Sequence, residues 1–136
     1  MNEMTGRCLC GAVTYTAEVA KTDFHACHCS MCRRWASSPF FAIGVESITF
    51  DGEDKISRYK SSDWAERGFC SQCGTNLFYW YADGDQYIMC IGTFDDTTPF
   101  TMAGEIYIDS KPPGYAFAGD HPRQTEEEFL KSLGVA

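Results

Sequence analysis

A chain of 136 residues, 44% of them hydrophobic, is long enough for one domain with a buried core. Its 19 acidic and 11 basic residues give a formal net charge of −8, which argues against a nucleic acid or an anionic membrane surface as partner. The sequence contains no apolar stretch of membrane-spanning length and no signal region at its start. We therefore expect a cytoplasmic protein, in which disulfides are disfavoured.

Strand patterns dominate the chain. Gly11–Ala20 alternates between apolar and polar residues with a period of two, which is typical of a strand with one buried face. Other strands are predicted from apolar and aromatic runs between turn signals. In chain order these runs are Phe40–Phe50 (one or two strands, broken at Gly44), Ile56–Lys60, Thr75–Tyr81, Gln86–Thr93 and Glu105–Asp109. Asp83–Gly84 joins the third and fourth of them into a predicted hairpin.

Helix signals are few. Ser30–Trp35 lacks a strand pattern and is compatible with a short helical turn. Near the end of the chain, Thr125 and Glu128 fit a capping box, and Gly134 would end the helix that follows it. The elements together predict one mainly β domain with a short C-terminal helix.

Eight cysteines are unevenly distributed. In a reducing compartment, clustered cysteines are typical of metal ligands or catalytic thiols. The motifs are Cys8–Leu9–Cys10–Gly11, Cys27–His28–Cys29–Ser30–Met31–Cys32 and Cys70–Ser71–Gln72–Cys73–Gly74. Cys90 stands alone in an apolar strand pattern, and we predict it to be a packed core residue. His121, beside Pro122, is predicted to lie on the surface.

The first and third motifs each supply two thiolates from a tight turn. The glycine that follows each turn permits a positive φ and lets backbone amides point at sulfur. Zinc prefers four such ligands in a tetrahedron. We therefore predict a structural zinc site at Cys8, Cys10, Cys70 and Cys73. Two alternatives remain, namely iron in the same site and four buried thiols without a metal.

The middle motif offers three thiolates and no following glycine. Three protein ligands and one open position are the pattern of a catalytic zinc, and this predicts a second zinc at Cys27, Cys29 and Cys32. A fourth ligand from His25 or His28 would close the site, and three metal-free thiols are a further alternative. Arg33 and Arg34 follow at once and could bind an anionic substrate, or they form ordinary surface salt bridges.

These residues resemble a known family. The segments that carry the resemblance are Gly6–Arg7–Cys8–Leu9–Cys10–Gly11–Ala12–Val13, Cys27–His28–Cys29–Ser30–Met31–Cys32–Arg33–Arg34 and Arg67–Gly68–Phe69–Cys70–Ser71–Gln72–Cys73–Gly74–Thr75. Their order is similar to that of the glutathione-dependent formaldehyde-activating enzymes, a family that includes the centromere protein V proteins. The resemblance covers about residues 5–110.

The resemblance implies a single zinc-binding domain of packed antiparallel sheets, called a β-tent, which we place at residues 5–120, with a tail containing the short helix at 121–136. It also implies a carbon–sulfur lyase that condenses formaldehyde with glutathione to S-hydroxymethylglutathione. The four-cysteine set would hold a structural zinc, and Cys27, Cys29 and Cys32 would hold a catalytic zinc that leaves a place for the glutathione sulfur. Glutathione or a related small thiol is thus the expected partner, while the oligomeric state has no signal in the sequence.

Two other functions compete with this interpretation. A non-catalytic zinc-stabilised module could carry glutathione or bind a protein. Methionine sulfoxide reduction would need two CxxC pairs and a separate nucleophilic cysteine, whereas the chain has one CxCG, one CxxCG and only Cys90 outside its clusters. The centromeric role has no support, because the chain lacks basic extensions.

Overall fold

The computed structural model describes residues 2–134 and confirms a mainly β protein with two sheets and two short helices. The strands are β1 (Asn2–Arg7), β2 (Thr14–Val19), β3 (Asp23–Cys27), β4 (Phe40–Gly44), β5 (Ser47–Asp51), β6 (Ile56–Lys60), β7 (Ala65–Cys70), β8 (Asn76–Tyr81), β9 (Gln86–Cys90) and β10 (Thr101–Ile106). The helices are α1 (Ser30–Ala36) and α2 (Glu126–Ser132). Across residues 2–134, neither helix has the length and apolar composition needed to cross a membrane.

The chain divides into two compact units. Unit 1 comprises the residues up to Thr22 together with Ala42–Phe100, and unit 2 comprises Asp23–Phe41 with the residues from Thr101 onward. Each unit contains one of the two predicted cysteine clusters.

Unit 1 contains an antiparallel sheet of three strands in the order β1-β2-β5. The alternation predicted for Gly11–Ala20 is confirmed, because Val13, Tyr15, Ala17 and Val19 are all buried. Successive side chains of a strand point to opposite faces, so a strand with one buried face has an apolar residue at every second position. This repeat is why the strand could be predicted from the sequence.

Unit 1 also contains the antiparallel neighbours β9-β8-β7-β6, and residues 42–44 of β4 pair with β9. The predicted hairpin is confirmed as β8–β9, with Tyr81 opposite Gln86. Strand β7 was missed, because its sequence interrupts the apolar pattern with charged residues and Gly68. The structure explains why position 68 is a glycine, since a Cβ there would lie 2.2 Å from Cζ of Phe78 in the core.

Unit 2 is built on a parallel pair, β3 and β10, with Phe24 opposite Met102 and Cys27 opposite Ile106. This pair departs from the antiparallel pairing that we expected throughout. The predicted strand at Glu105–Asp109 starts earlier than expected and ends at Ile106, because the next residue, Tyr107, has a left-handed φ of 57°.

Both predicted helices are present in unit 2. Helix α1 follows β3 directly. Helix α2 begins at the predicted capping box, in which Glu128 N donates to Thr125 Oγ1 at 3.2 Å and Thr125 N donates to Glu128 Oε1 at 2.9 Å. Gly134, with φ of 80°, follows the helix end as predicted.

Candidate metal centres and the adjoining cavity

The first and third cysteine motifs form two tight turns, which we call knuckles. Their four cysteines lie together in unit 1. Cys8 and Cys10 follow β1, Cys70 ends β7, and Cys73 lies in the turn that leads to β8. All four Sγ atoms lie within 4.8 Å of one another. The Cys8–Cys10 and Cys10–Cys70 sulfur distances are 3.6 and 3.8 Å. This cluster can therefore hold a metal ion.

The backbone of each knuckle has the conformation that its glycine permits. Gly11 and Gly74 have φ of 80° and 79°, and their amides close turns on the carbonyls of Cys8 and Cys70. Backbone amides also donate to sulfur, from Val13 to Cys8 Sγ at 3.4 Å and from Cys73 to Cys70 Sγ at 3.5 Å. Such donors stabilise thiolate charge.

The thiols of this cluster differ in acidity. Hydrogen bonds from the hydroxyl and the backbone of Thr75 lower the pKa of Cys73 to about 5. The backbone amide of Ala12 favours the Cys10 thiolate, but desolvation and the neighbouring thiols outweigh it and raise the pKa of Cys10 to about 11. Four thiolates at this spacing repel one another, so full ionisation requires a cation among them.

The middle motif forms a second cluster, which lies in unit 2. Cys27 ends β3, Cys29 is the N-cap of α1, and Cys32 lies in the first turn of that helix. The three Sγ atoms lie within 4.8 Å of one another, and Cys29 Sγ accepts a hydrogen bond from Cys32 N at 3.3 Å. Hydrogen bonds with the thiols of Cys29 and Cys32 raise the pKa of Cys27.

Neither histidine near this cluster joins it. Among residues 2–134, no nitrogen of His25 or His28 belongs to the group that the three sulfur atoms form. The side chain of His28 instead bonds to Glu105, with His28 Nε2 2.7 Å from Glu105 Oε1. The described side chains therefore offer three metal ligands here, and the closed site considered from the sequence is not formed by these two histidines.

Glu105 is the centre of a buried polar cluster that sequence reasoning missed. It is 1% exposed, and its Oε2 accepts hydrogen bonds from His121 Nε2 at 2.6 Å and from Arg123 Nε at 3.0 Å. The prediction of a surface position for His121 is wrong, because its side chain is only 8% exposed. Desolvation raises the pKa of Glu105, but the bonds to His121 and His28 outweigh it and leave the pKa below its usual range.

A cavity of about 120 Å³ lies in unit 2. Two of its lining residues, His28 and Arg33, are direct chain neighbours of the clustered cysteines. The lining comprises His28, Arg33, Ser37, Ser38, Pro39, Pro112 and Tyr115. The two arginines predicted to bind a substrate therefore differ in position, because Arg33 lines the cavity whereas Arg34 is not part of the lining.

Cys90 lies at the end of β9 in unit 1 and is half-buried, so the prediction of a packed core cysteine is wrong. It belongs to neither cluster among residues 2–134.

The model of the family described as glutathione-dependent formaldehyde-activating enzyme matches residues 3–110. The chain belongs to this family. It is 35% identical to an uncharacterized lyase of Schizosaccharomyces pombe over 98% of each chain. It is also 36% identical to a putative glutathione-dependent formaldehyde-activating enzyme of Podospora anserina, over 54% of this chain and 38% of that one.

The fold has a counterpart among solved structures. A crystal structure of a Rhodobacter sphaeroides protein matches with a TM-score of 0.59 and 21% sequence identity, covering 88% of this chain and 99% of that one. At this level of identity the match supports the fold alone.

Proposed function

We propose that this protein is a zinc-dependent carbon–sulfur lyase-type enzyme that adds a small thiol to a small aldehyde, with glutathione and formaldehyde as first candidates. One observation carries the proposal: three clustered thiols have His28 and Arg33 as direct neighbours in the chain, and both of these residues line a cavity. The family membership supports the reaction class. Because the site needs reduced thiols, we also propose a reducing compartment, the cytoplasm, as its location.

Zinc fits the four-cysteine cluster. A tetrahedron of thiolates about 2.3 Å from the metal places sulfur atoms about 3.8 Å apart. The sulfur distances of 3.6 and 3.8 Å agree with that spacing. We therefore propose that Cys8, Cys10, Cys70 and Cys73 hold a structural zinc.

Zinc also fits the three-cysteine cluster, for a different reason. Mutual interaction raises the pKa of Cys27, and a divalent cation would offset the charge of three adjacent thiolates. Three protein ligands with an open fourth position are typical of a catalytic zinc. We propose that Cys27, Cys29 and Cys32 hold this ion, which would supply a substrate thiolate at neutral pH.

The residues of the chain itself would then orient the substrate. The guanidinium of Arg33 can bind a carboxylate through two parallel hydrogen bonds, and glutathione carries two carboxylates. Arg33 is the better candidate of the two arginines because it lines the cavity. The thiolate would add to the carbonyl carbon of the aldehyde, which forms a C–S bond and leaves an alkoxide to be protonated.

A second candidate function is a binding module without catalysis. The cavity, at about 120 Å³, is smaller than the about 300–1,000 Å³ typical of ligand pockets, so it cannot enclose a whole glutathione substrate as an active site usually does. A tripeptide would therefore extend beyond the cavity, and only its thiol end or one carboxylate would enter.

The test compares wild-type protein with Cys29→Ser and with the control Cys90→Ser, which changes the cysteine outside both clusters. A serine at position 29 can still cap α1, so the substitution removes a thiolate while the helix remains capped. We expect about two zinc ions in wild type and about one in Cys29→Ser, by elemental analysis of protein purified without oxygen or chelator.

Turnover is measured by stopped-flow mixing of glutathione and formaldehyde, and the rate of addition with protein is compared with the spontaneous rate without protein. Wild type and Cys90→Ser should accelerate the addition, whereas Cys29→Ser should not. Normal turnover in Cys29→Ser would refute the proposed catalytic cluster. Binding of glutathione without acceleration by the wild type would establish the module instead.

A further inference from the structure

The buried carboxylate of Glu105 orients the ring of His28. A carboxylate only accepts hydrogen bonds, so the hydrogen shared between His28 Nε2 and Glu105 Oε1, 2.7 Å apart, belongs to the ring nitrogen. His28 is 1% exposed, and its ring packs against Phe117 at a centroid distance of 6.1 Å. With Nε2 held in this way, Nδ1 is directed towards the Tyr115 hydroxyl, 3.4 Å away.

Tyr115 brings an acidic hydroxyl to the cavity. It lines the cavity together with Arg33 and is 37% exposed. The hydroxyl of Ser38, which also lines the cavity, already donates to the carbonyl of Pro39 at 3.0 Å. A phenol is a much stronger acid than a serine hydroxyl, and Tyr115 is therefore a better proton donor than Ser38 or Ser37, the other hydroxyl side chains of the lining.

We propose that the Tyr115 hydroxyl donates the proton to the alkoxide oxygen that forms when a thiolate adds to an aldehyde in this cavity, and that His28 and Glu105 are its positioning residues. The inference rests on the proposed function, and it adds the proton donor that the reaction needs.

The step balances in atoms and charge. The substrate thiol loses its proton to water on binding, the C–S bond forms, and the π bond of the carbonyl becomes a lone pair on oxygen. That oxygen takes the Tyr115 proton, and the phenolate regains one from water, which reaches the exposed part of the residue. The net result is addition of a thiol across the carbonyl, with no oxidant or reductant.

The resting geometry suits a donor that must release its hydrogen. The 3.4 Å separation from Nδ1 is long for a hydrogen bond, so a developing alkoxide, a charged and stronger acceptor, can take the hydrogen over. Burial and the charge of Glu105 raise the pKa of Tyr115, which keeps the hydroxyl protonated at neutral pH until the alkoxide forms.

The backbone at Tyr115 is held independently of its hydroxyl. Lys111 Nζ donates to the carbonyls of Pro112 and Tyr115 and lies 4.6 Å from the centroid of the Tyr115 ring. Replacing the tyrosine with phenylalanine should therefore remove the proton and leave the segment in place.

The main experiment compares Tyr115→Phe with Tyr59→Phe, a control in which an exposed tyrosine on β6 of unit 1 loses its hydroxyl. We expect kcat for the addition of glutathione to formaldehyde to fall roughly 100-fold in Tyr115→Phe, with KM for glutathione and zinc content unchanged. Tyr59→Phe should match the wild type. A wild-type kcat in Tyr115→Phe would overturn the proposal.

A second readout does not depend on turnover. In 15N-histidine NMR spectra, we expect wild-type His28 to carry its hydrogen on Nε2. Tyr115→Phe should shift the Nδ1 signal while leaving the Nε2 hydrogen in place, and Glu105→Gln should alter the Nε2 signal and lower kcat more than it changes KM. An Nδ1 signal that is the same in wild type and Tyr115→Phe would refute the positioning by His28.

The outcomes separate this inference from the function on which it rests. If wild-type protein gives no acceleration over the spontaneous addition, the proposed function fails and the proton donor fails with it. If wild type accelerates the addition and Tyr115→Phe does so equally, only the role of Tyr115 is refuted. Should Glu105→Gln not fold, the Tyr115→Phe comparison still decides.

Discussion

The two cysteine clusters use similar ligands in different surroundings. In unit 1, the sulfur atoms of four thiols lie within 4.8 Å of one another, and they form hydrogen bonds with backbone amides and with the Thr75 hydroxyl. In unit 2, three thiols cluster beside a helix start, and their chain neighbours His28 and Arg33 face a cavity. Donor number and neighbouring side chains, rather than the cysteine content itself, distinguish a structural site from a reactive one.

The strongest test of this contrast is a matched pair of cysteine variants, Cys70→Ser and Cys29→Ser. Structural zinc in small zinc domains contributes roughly 10 kcal/mol or more to folding, so we expect Cys70→Ser to lose cooperative unfolding. Cys29→Ser should keep a cooperative thermal transition, measured by circular dichroism. Equal loss of the transition in both variants would show that the two clusters are structurally equivalent.

A pair of arginine variants sharpens the functional side of the contrast. Arg33→Ala should raise KM for glutathione roughly tenfold or more, because a charge-assisted contact with a carboxylate contributes about 1.5–3 kcal/mol. Arg34→Ala should leave KM unchanged, since Arg34 does not line the cavity. Steady-state kinetics with glutathione varied would measure both, and a larger effect at Arg34 would contradict the assignment.

The smallest predicted effect concerns the knuckle glycines, a feature that only the four-cysteine cluster has. Gly74 has a φ of 79° and open space where a Cβ would lie, so Gly74→Ala meets backbone strain but no clash. We expect a loss of about 1–2 kcal/mol in the free energy of unfolding, measured by urea denaturation. Gly92→Ala, which also has open space but no positive φ, is the control and should lose less.

The sequence was most informative where the physical cause is local. The knuckle turns need a glycine next to the second cysteine, the Gly11–Ala20 alternation follows from the strand repeat, and the α2 capping box spans four residues. These features could be predicted because each depends on residues that are close along the chain. The grouping of Cys8 with Cys70 was also predictable, since a tetrahedral metal site needs both pairs.

Tertiary structure alone decided the polar cluster and the sheet pairings around the three-cysteine cluster. His28 and Glu105 are 77 residues apart in the chain, and no local pattern marks them as partners. The parallel pairing of β3 with β10 brings them together by placing Glu105 opposite Ala26 and Ile106 opposite Cys27. A buried carboxylate needs donors from whichever segments fold around it, so the positions of His28, His121 and Arg123 follow from packing and not from sequence spacing.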